Sequence, residues 1–176
     1  SNEDLEEAVK YAHKRNKKVY VTVNTIIYQS ELNKLIEYID YLYAINVDAI
    51  IVQDLGVVSI VRTKYPDFEI HASTQMNVFN KNAVEILMKL GIKRVVLARE
   101  TPIDVIKELA KVGLEIEVFI HGALCFACSG NCLMSYSIGE RSGNRGKCAQ
   151  PCRMEYSLFE NGRAISNKKY LLSTKD

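Results

Sequence analysis

The amino-acid sequence predicts an α/β protein: a parallel (β/α) fold of the TIM-barrel type, incomplete in this chain, with a cysteine-rich loop and a C-terminal β-hairpin. Three observations predict it. Apolar, β-branched runs alternate with segments of helical periodicity from the start of the chain to Ile120. The repeat is short and regular, which suits a barrel better than an open doubly wound sheet; right-handed crossovers serve either. All five cysteines then fall between Cys125 and Cys152, where the alternation has ended.

The elements follow in order. Leu5, Ala8, Val9 and Ala12 fall at helical spacing, and Val19–Ile27 reads as a strand. Leu32, Leu35, Ile36, Ile39, Leu42 and Tyr43 form one apolar helical face, with Ser30 as its N-cap. Strand Val47–Val52 leads to a helix near Leu55–Lys64 that Pro66 stops. Strand Phe68–His71 leads to a helix begun by Asn80 and ended near Gly91. Strand Arg94–Leu97 leads to a helix capped by Thr101, with Pro102 at its first position, Asp104 completing a variant capping box and Gly113 at its end. Leu114–Ile120 is the fifth strand. A complete barrel takes roughly 250 residues, so a chain of 176 is expected to hold part of one, with the missing units mostly ahead of residue 1. The opening Ser1-Asn2, without methionine, reads as a tag-cleavage scar. Beyond the cysteines, Met154–Glu160 alternates like a strand, Asn161-Gly162 signals a hairpin turn, and Ala164–Leu172 supplies the return. The expected organisation is residues 1–122 as the partial barrel, 123–153 as a metal-binding segment and 154–176 as a hairpin tail appended to the same domain.

Composition narrows the class. An apolar content of 48% with 25% charged residues excludes a disordered chain. The net charge of +2 does not announce a nucleic-acid binder. No apolar run is long enough to span a membrane. An odd number of cysteines in one cluster is unlike a disulfide framework and suits a metal site in a reducing cytoplasm.

In parallel α/β folds function gathers at the C-terminal ends of the strands. Those ends read Asn24-Thr25, Gln53-Asp54, Ser73-Thr74-Gln75, Arg99-Glu100 and His121-Gly122, polar residues closing apolar strands, as in a lined pocket. Asn24, Gln75 and Arg99 are therefore candidate substrate contacts, joined by Arg145 and Arg153 of a glycine-bearing basic loop. His121 is the candidate acid/base, with Asp54 and Glu100 as carboxylates near the same face. His71 within its strand reads as a core histidine and His13 as a surface one. Ser73 with His71, or Cys125 with His121, could be paired as nucleophile and base, but neither sits in a nucleophile elbow, and HExxH and glycine-rich phosphate motifs are absent.

The cysteines are the most specific feature. Six residues separate Cys125 from Cys132, fifteen more lead to Cys148, and three lie before Cys152. Thiolates suit zinc or an iron–sulfur cluster, and the spacing leaves both open. Cys128 is either a partner of Cys125 in a Cys-x-x-Cys pair or a small apolar residue.

The run Glu117-Val-Phe-Ile-His121-Gly-Ala-Leu-Cys125-Phe-Ala-Cys-Ser-Gly130-Asn-Cys132-Leu-Met-Ser135 resembles the signature of the collagenase-like peptidases, family 32 of the peptidases of unknown catalytic type. Ser73-Thr-Gln-Met-Asn77, Arg99-Glu100 and Asn144-Arg-Gly-Lys-Cys148-Ala-Gln-Pro-Cys152-Arg153 extend the resemblance, as does the ending Leu171–Asp176. The resemblance implies a (β/α) barrel and a 4Fe–4S cluster on Cys125, Cys132, Cys148 and Cys152, with Cys128 outside the set and zinc as the alternative. It implies oxygen-independent hydroxylation of a base in tRNA or rRNA, with prephenate as a hydroxyl source. The alternatives are a protease acting on collagen-like or other peptides and a structural zinc module.

Overall fold

The computed structural model describes residues 2–174. Five helix–strand repeats run in chain order: α1 (Asn2–His13), β1 (Tyr20–Val23), α2 (Leu32–Ala44), β2 (Ala49–Val52), α3 (Leu55–Lys64), β3 (Glu69–Ala72), α4 (Lys81–Lys89), β4 (Arg94–Val96), α5 (Ile103–Leu109) and β5 (Glu115–Glu117). The strands form one parallel sheet ordered β1-β2-β3-β4-β5. Every neighbour in space is a neighbour in sequence, as in a barrel wall, and β1 and β5 remain the two edges, so the barrel is not closed.

The amphipathic periods explain the packing. Leu35, Ile39 and Leu42 of α2, Val57, Val58 and Val61 of α3, and Val84 and Leu87 of α4 are buried against one face of the sheet. That face supplies Ile50, Val52, Ile70, Ala72 and Val95 to the same core. Alternation puts a different set on the other face. Ile51, His71, Arg94 and Glu115 are in register across four strands. Arg94 bonds Glu115 at 2.7 Å and Glu117 at 3.3 Å, and fully buried His71 reaches Glu69 through Nε2 at 2.7 Å.

The strands are shorter than their apolar runs. The run Val19–Ile27 pairs only over Tyr20–Val23, because the amides of Ile26 and Ile27 turn to Asn144 O and the Asp54 carboxylate. Leu114–Ile120 pairs only over Glu115–Glu117, and Phe119 and Ile120 are exposed. Strands β2, β3 and β4 are trimmed likewise to Ala49–Val52, Glu69–Ala72 and Arg94–Val96.

Two expected caps shift. Ser30 lies inside a 3-10 turn, Gln29–Glu31, and α2 starts after it; Glu31 reaches back to the Tyr28 amide at 2.8 Å. Thr101 is not the cap of α5, because its hydroxyl donates to Ala98 O at 2.7 Å and Pro102 takes the N-cap position. Asn80 does cap α4, accepting from Ala83 N at 3.0 Å.

After β5 come a long loop, the short helix α6 (Met134–Gly139) and two 3-10 turns at Gly143–Arg145 and Pro151–Arg153. The hairpin pairs β6 (Tyr156–Glu160) with β7 (Arg163–Lys169) through Asn161 and Gly162, both at positive φ, so the return strand starts and ends earlier than its sequence pattern.

Candidate metal centre and adjoining cavity

The strand-end loops support the cysteine segment at three places. The first is on the β1 side. Arg145 forks onto Glu31, Nη1 to Oε2 at 2.8 Å and Nη2 to Oε1 at 2.5 Å, and Nη1 also donates to Ile26 O at 2.7 Å. Ile26 N donates to the carbonyl of buried Asn144, and the guanidinium lies 4.3 Å from the Tyr28 ring centre. Arg145, a candidate substrate contact, is thus placed as a clasp. The Arg145 hydrogen bonds hold the Glu31 carboxyl down at about 2, helped by the Tyr28 amide.

The sign of that shift gives a prediction. A depressed carboxyl pKa means the clasp is complete above the ordinary value of 4.5 and opens as pH falls from there through about 2. Carboxyl NMR should find the Glu31 midpoint near 2, returning to the ordinary range in Arg145→Gln. An ordinary midpoint in the unsubstituted chain would mean the clasp does not form.

The second place is on the β4 side, at Ser129, which is completely buried. Its amide donates to Glu100 Oε1 at 2.5 Å and its hydroxyl to Oε2 at 3.1 Å, while Arg99 Nε donates to the hydroxyl oxygen at 3.2 Å. Thr74 Oγ1 is 3.5 Å from the same oxygen but gives its proton to Leu97 O at 3.0 Å. Burial raises the Glu100 pKa, yet the hydrogen bonds from its own amide and from Ser129, with the Arg99 charge, leave it below the usual range.

The third place is on the β3 side. Gly130, at φ +74°, lies against the Gln75 carbonyl so closely that a Cβ would meet that oxygen at 2.1 Å. Only glycine serves there. At the entry to the segment, Arg153 Nη2 and Thr174 Oγ1 both donate to Leu124 O, at 3.0 and 2.9 Å.

Held in this way, Cys125, Cys128, Cys132, Cys148 and Cys152 all line one cavity of about 440 Å3, with Thr74, Gln75 and Arg99 in its wall. None is in a disulfide. Cys128, which the resemblance leaves outside the ligand set, faces the same space. Among the described residues no three of His, Cys, Asp or Glu converge as ligands of a single ion. As donors the thiols fit a soft metal centre, and no carboxylate lines the cavity to compete with them.

A second cavity of about 390 Å3 adjoins the first and shares Thr74 and Arg99 with it. His121 lines this second space, together with Phe119, Ile120 and Leu124. His121 and Cys125 line different cavities, and Ser73 Oγ accepts from Gln75 N rather than bonding His71. Neither nucleophile–base pair is hydrogen-bonded among the described residues. Asp54 caps α3, taking Gly56 N at 2.7 Å and Val57 N at 3.4 Å, and holds Ile27 N at 3.3 Å. Asn24 is half-buried at the end of β1 and lines neither cavity.

Sequence reasoning did not single out Ser129, Gly130, Glu31 or Asn144. A glutamate three residues after Tyr28 at a helix start was a signal for Glu31, and Asp54 two residues before Gly56 was one for a cap. No local pattern marks a serine that bonds across 29 residues.

A parallel barrel wall bearing a cysteine-lined cavity at its strand ends defines the class as a (β/α) protein with its cysteines gathered where such folds place their sites. The chain belongs to peptidase family U32, whose model matches residues 1–176. It is 42% identical over its whole length to the 23S rRNA 5-hydroxycytidine C2501 synthase of Escherichia coli, covering 27% of that protein. It is 41% identical to tRNA hydroxylation protein P1 of Bacillus subtilis, over 92% of the chain and 39% of that protein. It is 31% identical over its whole length to a collagenase of Porphyromonas gingivalis, covering 45% of it. A U32 peptidase of known structure superposes with a TM-score of 0.63 over 98% of the chain and 73% of that structure, at 14% identity, a likeness of fold. The chain therefore spans less than half the length of these curated relatives.

Proposed function

We propose that this chain is part of an iron–sulfur protein that hydroxylates a base of tRNA or rRNA in the cytoplasm. The observation that carries the reading is the single cavity lined by Cys125, Cys132, Cys148 and Cys152, in a chain over 40% identical to proteins named for rRNA and tRNA hydroxylation. The cavity favours a cluster over zinc. A zinc ion bound at about 2.3 Å draws four sulfurs tightly together, whereas a cubane places its own iron and sulfide between them and fills a larger space.

When bound, the cluster supplies one-electron redox chemistry. The chain's own residues do the rest. Glu100 and Ser129 fix Arg99 on the wall between the two cavities, where its charge holds an anionic group of the substrate. His121, in the adjoining cavity, moves a proton at the base. The hydroxyl source is a separate molecule, prephenate. The peptidase reading has the collagenase relative in its favour, but the paired groups it needs are not assembled among the described residues.

Anaerobic reconstitution should yield a brown protein with about four irons and four sulfides per chain, as a cubane requires. Serine at any one of the four ligand positions should lower iron content severely, and Cys128→Ser should not. Deleting the gene should remove one hydroxylated base from tRNA or rRNA. Zinc alone, or no metal, in iron-replete anaerobic protein would sink the cluster assignment. Gelatin cleavage that His121→Ala or Cys125→Ser abolishes would favour the peptidase instead.

A further inference from the structure

We propose that the second cavity seats one nucleotide of a single-stranded RNA, its base against Phe119 and its phosphate on the free end of Arg99; the inference rests on the RNA reading above. Three observations point to it. The first is the arginine. Its Nε is committed to buried Ser129, and Nη1 and Nη2 hold no other hydrogen bond among the described residues. A guanidinium pinned at one nitrogen with its fork open is pre-organised for a phosphate. Because Arg99 lines both cavities, an anion held on the His121 side lies next to the cysteine cavity without entering it.

The second is the wall. Phe119 is 63% exposed, unlike the aromatic residues that pack in the core, and it lines this cavity beside Ile120, His121 and Leu124. At about 390 Å3 the space falls in the ordinary range for small ligands, roughly 300–1,000 Å3. An aromatic face beside a cation is the combination that takes an unstacked base and its phosphate.

The third is charge. Residues 140–169 hold seven Lys and Arg against three Glu, whereas the whole chain carries only +2. Arg145 and Arg153 of this set are engaged with Glu31 and Leu124 O. Lys147, Arg163, Lys168 and Lys169 are exposed and offer a basic approach for a polyanion.

The test is fluorescence anisotropy with a short, labelled single-stranded RNA, titrated at several salt concentrations. Phe119→Leu keeps an apolar wall and removes the aromatic face; it should weaken binding roughly tenfold, the size of one base–aromatic stack. Arg99→Gln should weaken binding and reduce the log–log salt slope by about 0.7, one phosphate on a single strand, and Arg99→Lys should restore the slope. Affinity unchanged in Phe119→Leu, with a salt slope unchanged in Arg99→Gln, would overturn the placement while leaving RNA binding intact. No affinity in the unsubstituted chain would overturn both. Should Arg99→Gln fail to fold, Phe119→Leu decides, because its exposed ring carries little of the packing.

Discussion

Gly130→Ala should destabilise the chain by about 3 kcal/mol and, on the iron–sulfur reading proposed above, abolish iron binding. Two costs add. A residue with a Cβ in the left-handed region loses roughly 1–2 kcal/mol, and Gly130 sits at φ +74°. Forcing an extra carbon into a filled space costs a further 1–3 kcal/mol or so, and here the obstacle is the Gln75 backbone carbonyl, which has no rotamer to give. The loop must withdraw from β3, and Cys128 and Cys132, two residues to either side, withdraw with it. Thermal unfolding and iron content measure the two consequences. A variant that unfolds at the unsubstituted temperature and keeps its iron would show that the loop does not rest on Gln75.

Ser129→Ala should cost about 2 kcal/mol, in line with losing hydrogen bonds to charged groups, and lower Tm by roughly 4–8 °C for a domain of this size. The hydroxyl donates to Glu100 and accepts from Arg99 at once. Alanine leaves both charged partners short of a bond and frees Arg99 to swing. The reading therefore predicts a second effect that lost packing would not produce: the Glu100 carboxyl should titrate at higher pH in the variant, since one of the bonds that depress it is gone. A fall in Tm with no change in that titration would assign Ser129 to packing alone.

The sequence made some of this legible and concealed the rest for identifiable reasons. Helices α2, α3 and α4 were readable because their apolar residues recur at the helical period and one side faces one core. Strand ends were not, because apolar residues continue past the last ladder bond. Ile26 and Ile27 look like strand, yet their amides serve Asn144 and Asp54, partners distant in sequence. The cysteines stood out by number and spacing. Their supports did not, since a serine, a glycine and an asparagine in a loop carry no local pattern. Arg145 and Asp54 show the converse: a charge in a basic loop and a carboxylate at a strand end drew attention as a substrate contact and an acid, and in the fold each also fastens backbone or side chain.

The clasp between Glu31 and Arg145 closes a span of 114 residues, and the bond from Ile26 to Asn144 is of similar reach. Contacts of that sequence separation form late in folding, because the chain between them must be ordered before the ends can meet. The cysteine segment is accordingly expected to settle only on a sheet that has already formed, since its clasps reach back to the β1 end of that sheet. Before that its five free thiols would be carried on an unanchored loop, open to oxidation. Topology in this way sets a condition on the cavity: its five cysteines share one space only where the segment rests on a finished sheet.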